Sequence, residues 1–263
     1  MAQESPLYRI KKITGAIERA PHAKETRVQK LLEIGLRFHE QGNLPEAELI
    51  YREVLRQDFD NADAWHLLGV IVYQSEYYDV ALELIGEAVA LEPDDSLYQN
   101  SLGNVYGCLE DLEAALACYD KALRVRPDYV EAHYNRAGVL RAQEKLDEAV
   151  DTYRTALRLQ PDAFDVLNDL AGTLRRQGKP QAALACYRRA IELKPDSAAL
   201  HLNLGRALET VGAIDEAVAV YRRAVELDPD LTEARTSLAA ALEHPGSLPE
   251  RGQAIGKPHR EPQ

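Results

Sequence analysis

Seven histidines, three cysteines and 43 acidic side chains are the groups through which this 263-residue sequence would do covalent, acid–base or metal chemistry. Their arrangement argues against all three. No H-E-x-x-H run places two imidazoles on one helix face around a glutamate. Asp215 and Glu216 are neighbours in "GAIDEAV" and read as turn and cap residues, not as a paired general acid and base. No P-loop and no G-x-G-x-x-G run offers a phosphate cradle. Cys108, Cys118 and Cys186 are an odd, sparse set without metal-ligand spacing, and form neither a disulfide framework nor a zinc site. The expectation is a protein without catalytic residues, metal or cofactor, so its chemistry must be recognition.

Composition narrows the partner. The net charge is −12, whereas a nucleic-acid backbone requires a basic footprint. The charge is uneven, because residues 1–27 hold six Lys or Arg against three Asp or Glu. The first residues lack the apolar run of a secretory signal, and no stretch of about 18 apolar residues would span a bilayer. With unpaired cysteines, these features point to a reduced, cytoplasmic setting.

The elements that must position any recognising residues come from a repeat. Six units of 34 residues follow one another without insertion: 28–61, 62–95, 96–129, 130–163, 164–197 and 198–231. The twentieth position is always alanine: Ala47, Ala81, Ala115, Ala149, Ala183 and Ala217. The twenty-fourth is Tyr51, Ile85, Tyr119, Tyr153, Tyr187 and Tyr221, and the eighth is Gly or Ala (Gly35, Gly69, Gly103, Ala137, Ala171, Gly205). Within a unit the apolar residues form two runs at helical spacing, such as Trp65, Leu68 and Val72, then Ala81, Ile85 and Ala88. Small residues let two helices approach closely, and the large residue at the twenty-fourth position fills the space they leave. Pro at the thirty-second position of five units ends the second helix. The Asp that follows it suits a turn or a cap for the next helix. Gly42, Gly178 and Gly212 end first helices, and Asp79, Asp147 and Asp215 stand where the second helices need a cap. Cys118 and Cys186 occupy one position two units apart, too many helix layers of roughly 10 Å each to pair.

These units resemble the tetratricopeptide repeat, carried by "WHLLGVIV" (Trp65 to Val72), "SLGNVY" (Ser101 to Tyr106) and "AALACYDKALRVRP" (Ala114 to Pro127) over residues 28–231. The resemblance implies an all-α solenoid of six helix pairs coiled into a right-handed superhelix. Residues 232–244 are expected to form a capping helix, with Leu238, Ala239 and Leu242 at its seventh, eighth and eleventh positions. Residues 245–263 are expected to be disordered. Residues 6–20, with Leu7, Ile10, Ile13 and Ile17, read as an amino-terminal cap or, through Arg9, Lys11, Lys12 and Arg19, as a docking helix.

The resemblance also implies where ligands bind. First helices line the concave wall in this family, and contacts come mainly from their second, fifth, sixth, ninth, twelfth and thirteenth positions. Carried over, these positions include Asn100, Asn104, Tyr134, Asn135, Asn168, Asp169 and Asn203. Arg141, Arg175 and Arg206 lie among them. An amide has two donors and a carbonyl, and matches both groups of a peptide backbone. Guanidinium forks match carboxylates. The expected ligand is an extended or acidic protein segment, and Ala at Asn135 and Asn168 is expected to weaken binding without lowering Tm. The two-carboxylate clamp of chaperone-binding relatives is not reproduced, since Asn100, Asp165 and Asp169 stand at its basic positions. The array is also similar to the arm of O-linked N-acetylglucosamine transferases through Asn135 and Asn203, with Ser101 and Asp169 interrupting the ladder. The 32 residues after residue 231 are too few for a transferase domain. The alternatives are a recognition arm for a separate catalytic chain and a self-associating assembly factor.

Overall fold

The structure is a computed structural model that describes residues 24–243, with side chains from Arg27 onward. The expected amino-terminal segment and carboxyl-terminal tail lie outside the described residues. Thirteen α-helices account for the described elements: α1 (Lys24–Glu40), α2 (Leu44–Gln57), α3 (Ala62–Gln74), α4 (Tyr78–Leu91), α5 (Ser96–Cys108), α6 (Leu112–Val125), α7 (Val130–Ala142), α8 (Leu146–Leu159), α9 (Phe164–Arg176), α10 (Pro180–Leu193), α11 (Ala198–Thr210), α12 (Ile214–Leu227) and α13 (Thr232–Glu243). They fall into two compact units, one ending at Gln143 and one beginning at Glu144, so the division falls within the fourth repeat.

In the first unit each odd helix packs on the even helix after it, and that helix packs on the next odd one, from α1 to α7. The second unit does the same from α8 to α13. Close approach depends on the small residues. The alanines at the twentieth position are all fully buried. At Gly103 a Cβ would meet Tyr119 Cε1 at 2.6 Å, and at Gly205 it would overlap the Tyr221 ring. Tyr51, Tyr153 and Tyr221 are among the largest fully buried side chains, as a space-filling residue at that position requires.

The turn inside a repeat needs one residue in the left-handed region, at the fifteenth position. Gly42, Gly178 and Gly212 supply it, with φ of 74°, 72° and 79°. The second, third and fourth repeats place Glu76, Glu110 and Glu144 there, at 64°, 62° and 60°. The turn geometry is the same in both classes, with a bond from the sixteenth residue back to the eleventh: Asn43 N to Phe38 O at 2.8 Å, Asp111 N to Tyr106 O at 3.0 Å. Glycine is therefore sufficient for this turn but not required.

Capping departs from the sequence expectation by one or two residues. First helices are capped at the thirty-fourth position of the preceding repeat. Asn61 accepts from Ala64 N, Asp95 from Leu97 N and Tyr98 N, and Ser197 from Leu200 N. The Asp at the thirty-third position sits one residue too early. Asp79, Asp147 and Asp215 lie inside the first turn of their helices, where a carboxylate acts on the helix dipole rather than as a cap. Among the described residues only Asp111 caps a second helix with its side chain, accepting from Ala114 N. The helix after the sixth repeat, α13, buries Ala234 and Ala241 against its neighbours, while Leu242 remains 41% exposed. The third and tenth positions face the preceding second helix. In the earlier repeats the eighth position faces the second helix of its own repeat, as Gly205 faces Tyr221.

Candidate binding face

Asn100 and Asn104 lie one turn apart on α5, and Asn135 lies on α7, the next first helix. Asn135 Nδ2 donates to Asn100 Oδ1 at 3.1 Å and to Asn104 Oδ1 at 2.9 Å. Tyr119 of α6 donates its hydroxyl to Asn104 Oδ1 at 2.8 Å. Asn100 Nδ2 donates to Glu131 Oε1 at 3.2 Å. Asn100 is 1% exposed, and its donor and acceptor both have partners within the protein. It forms the floor of the cluster. Asn104 and Asn135 are half-buried. The bonds just named leave the Asn104 amide hydrogens and the Asn135 carbonyl for a ligand.

The second unit contains a shorter version. Asn203 Nδ2 on α11 donates to Asn168 Oδ1 on α9 at 2.9 Å, and Asn168 Nδ2 donates to the adjacent Asp169 at 3.1 Å. Arg206 is already engaged by Glu233, at 2.8 Å. Arg175 is exposed at the last turn of α9, whereas Arg141 and Tyr134 are half-buried on α7. The candidate residues thus sort into an amide triad with Tyr134 and Arg141 in the first unit, and an amide pair with Asp169, Arg175 and Arg206 in the second.

A register not anticipated from sequence organises both clusters. Residues 35 apart, meaning one position later in the next repeat, bond repeatedly. His66 Nε2 and Ser101 Oγ are 2.8 Å apart, as the fifth and sixth positions. Asn100 with Asn135 and Asn168 with Asn203 make the same rung. The Tyr98 hydroxyl donates to Asp63 at 2.6 Å in a rung of third and second positions, and Tyr73 and Cys108 lie 3.4 Å apart in one of twelfth and thirteenth. The signal was present in the residue types, because fifth positions match the sixth positions that follow: Leu32 with Leu67, His66 with Ser101, Asn100 with Asn135. The fourth position has a recurring role of its own. Trp65 Nε1 donates to the Phe59 carbonyl, Gln99 Nε2 to that of Pro93, and His133 Nε2 lies 2.9 Å from that of Pro127. Each clasps the loop before its own helix.

Burial sets the electrostatics. His66 is 4% exposed and stacks 4.8 Å from Tyr98. Desolvation lowers its pKa to about 4 despite Asp95 and Asp63 nearby. Desolvation raises the Tyr119 and Tyr221 hydroxyls well above their ordinary range, so both remain donors, Tyr221 to Glu209 at 2.7 Å. Burial also raises the Cys118 and Cys186 thiols, and all three cysteines are free. Among the described residues no group of three or more His, Cys, Asp or Glu is placed to hold a metal ion. No described helix is long and apolar enough to cross a membrane. Away from the amides, on α8, a cavity of about 540 Å³ is lined by Asp151, Arg154, Thr155, Leu157 and Arg158.

Family models for the tetratricopeptide repeat match residues 38–105, 100–164 and 168–232. The chain belongs to the tetratricopeptide repeat family. Solved structures agree with this fold at low identity. PilF of Pseudomonas aeruginosa superposes with a TM-score of 0.73 at 20% identity, covering 82% of this chain and 99% of its own. PilW, described as a widely conserved type IV pilus biogenesis factor, gives 0.76 at 20%, covering 80% of this chain and 98% of its own. YrrB, described as a TPR protein with an unusual peptide-binding site, gives 0.58 at 19%, covering 71% and 96%. No curated protein matches the chain.

Proposed function

We propose that this protein is a non-catalytic interaction scaffold that holds an extended protein segment against its first helices. The observation that carries the reading is the amide triad. Asn135 donates to both the buried Asn100 and Asn104, and Tyr119 holds Asn104 from below, so the two half-exposed amides retain one donor pair and one carbonyl. That is the complement of a peptide unit, which offers one N–H and one C=O. Preorganised amides lose little freedom on binding, which lowers the cost of association. Pairing with main chain rather than side chains favours an extended ligand with limited sequence choice. Arg175 would add preference for acidic residues, whereas Arg206 would first have to leave Glu233. The three free cysteines favour a reducing, cytoplasmic compartment. The peptide-binding description of YrrB is in keeping with this use of the fold.

The geometry selects the test. Asn135→Ala would leave the buried Asn100 carbonyl without its donor, at about 1–3 kcal/mol. Such a variant would lower Tm as well as binding, contrary to the sequence-based expectation for Asn135 and Asn168. Asn104→Asp keeps an acceptor for Tyr119 and Asn135 and replaces the free donor with a charged acceptor oxygen. Partners captured by the full chain from native lysate should bind about tenfold more weakly to Asn104→Asp, the effect of about 1.4 kcal/mol. Undiminished capture by a variant of unchanged Tm would contradict the reading. Recovery of a glycosyltransferase among the partners would favour the recognition-arm alternative over a simple adaptor.

A further inference from the structure

No lysine or arginine stands between Arg56 and Lys121, so α3 and α5 carry no positive side chain. The second positions of three successive first helices are Asp63 on α3, Leu97 on α5 and Glu131 on α7. Leu97 is 45% exposed, and both carboxylates are exposed as well. Each carboxylate is tied to α5 by a buried side chain next to or near Leu97. The hydroxyl of Tyr98, a residue 3% exposed, donates to Asp63 Oδ1 at 2.6 Å. Asn100, the floor of the amide cluster, donates to Glu131 Oε1 at 3.2 Å. A third carboxylate, Asp95, caps α5 by accepting from Leu97 N and Tyr98 N. Among the described residues neither Asp63 nor Glu131 is ion-paired.

An exposed leucine between two anchored carboxylates matches one kind of side chain. Lysine and arginine lay an alkyl stem on apolar surface and keep the charged head beyond it, where a carboxylate receives it through charge-assisted hydrogen bonds. An acidic side chain would meet only like charge there. The place also adjoins the amides, because the Asn100 that holds Glu131 accepts from Asn135. An extended chain advances about 3.4 Å per residue and turns successive side chains to opposite sides. A segment whose main chain pairs with Asn104 and Asn135 therefore brings a side chain towards Glu131 within a residue or two. Nearer α1 the same face offers apolar contacts, Leu36 at 40% exposure and the half-buried Leu67 and Val70.

We infer that the first unit selects protein segments carrying a lysine or arginine, whose stem lies on Leu97 and whose charge is received by Asp63 and Glu131, beside apolar residues seated on Leu36, Leu67 and Val70. The inference rests on the scaffold reading proposed above and names the ligand of that face. It is opposite in sign to the acidic preference expected from the arginines, of which Arg175 and Arg206 belong to the second unit.

Selection of a randomised nonapeptide library on the immobilised full chain, at physiological salt, tests this. Lysine or arginine next to apolar residues should be enriched. The best selected peptide should then bind Glu131→Gln about fivefold more weakly than wild type, the size of an exposed ion pair of fixed geometry. Glutamine keeps an acceptor for Asn100, so Tm should not change. Glu83→Gln on α4 removes the same charge from a second helix and should leave affinity unaltered. Exchanging the peptide's basic residue for norleucine should cost the same fivefold in wild type and nothing further in Glu131→Gln, as two groups in direct contact require. Asp63→Asn, which keeps an acceptor for Tyr98, should act in the same direction as Glu131→Gln. Enrichment of acidic or uncharged peptides would overturn the inference and leave the scaffold reading standing. So would basic peptides that Glu83→Gln weakens as much as Glu131→Gln, or a norleucine loss that persists in full in both Glu131→Gln and Asp63→Asn. A library from which nothing is enriched would contradict the scaffold reading as well.

Discussion

His66 shows how much a single buried residue fixes. It donates or accepts across the 2.8 Å contact with Ser101 and is held neutral by desolvation, with its pKa lowered to about 4. In the unfolded chain the imidazole titrates near 6.5. The unfolded state therefore takes up a proton first as the pH falls, and folded stability drops through the window from about 6.5 to about 4. Above 6.5 the contribution is fully present. The slope of Tm against pH in that window should be shallower for His66→Asn than for wild type, although the variant is less stable at pH 8. Parallel slopes would contradict the assignment. The amides form a second residue-scale case. Their type was legible in the sequence, and so was their helical position once the repeat had been found. What the sequence left open was which amides would consume one another. Asn100 stood at a position of the kind that meets ligand, but the one-position offset between successive first helices turned it inward to Asn135 and Glu131.

At the scale of the helix pair, the eighth position decides how closely two helices approach. Gly205→Ala would drive a methyl into the Tyr221 ring and should lower stability by about 1–3 kcal/mol. Gly172, one position later in its repeat, is different. A Cβ there would find only the Tyr187 hydroxyl, at 3.5 Å. Gly172→Ala should raise stability by about 1 kcal/mol through helix propensity. Chemical denaturation of both variants checks the pair, and a loss of equal size in both would show that the close approach is not the cause. The turn is the second test of the element. Glu110 is held at φ 62° where Gly212 sits at 79°. Glu110→Gly should leave Tm unchanged or higher, and Gly212→Glu should lower it by about 1 kcal/mol. The alanine, tyrosine and proline punctuation made helix number and type readable, because each position answers a packing need that only a few side chains meet. The caps were less readable. Asp and Asn suit both the cap and the first turn, and the difference of one residue is decided by backbone geometry that composition does not show.

The whole molecule repeats one amide arrangement in two units, and in each a rung of fifth and sixth positions is made of asparagine: Asn100 with Asn135 in the first, Asn168 with Asn203 in the second. Ahead of the first rung, the first helices present Leu36, 40% exposed, and the half-buried Val70 at the ninth position that Asn104 fills in the third repeat. The same position gives way to Arg206 in the sixth. A segment lying along these helices would therefore meet apolar contacts before amides in the first unit. The opposite side offers the second helices, with their paired arginines such as Arg188 with Glu216 and Arg189 with Asp162 and Glu192. Deciding between these sides is the most direct test of the account. A photoreactive side chain can be placed at Gly107 on α5, in line with Asn100 and Asn104, or at Gly86 on the second helix α4. Neither glycine has any atom within 4 Å of an added Cβ, so both should accept it without disturbing the fold. Irradiation in native lysate should cross-link partners from position 107 and not from 86, and Asn104→Asp should diminish the product. Capture from position 86 alone, indifferent to Asn104→Asp, would place recognition on the second helices and contradict the account.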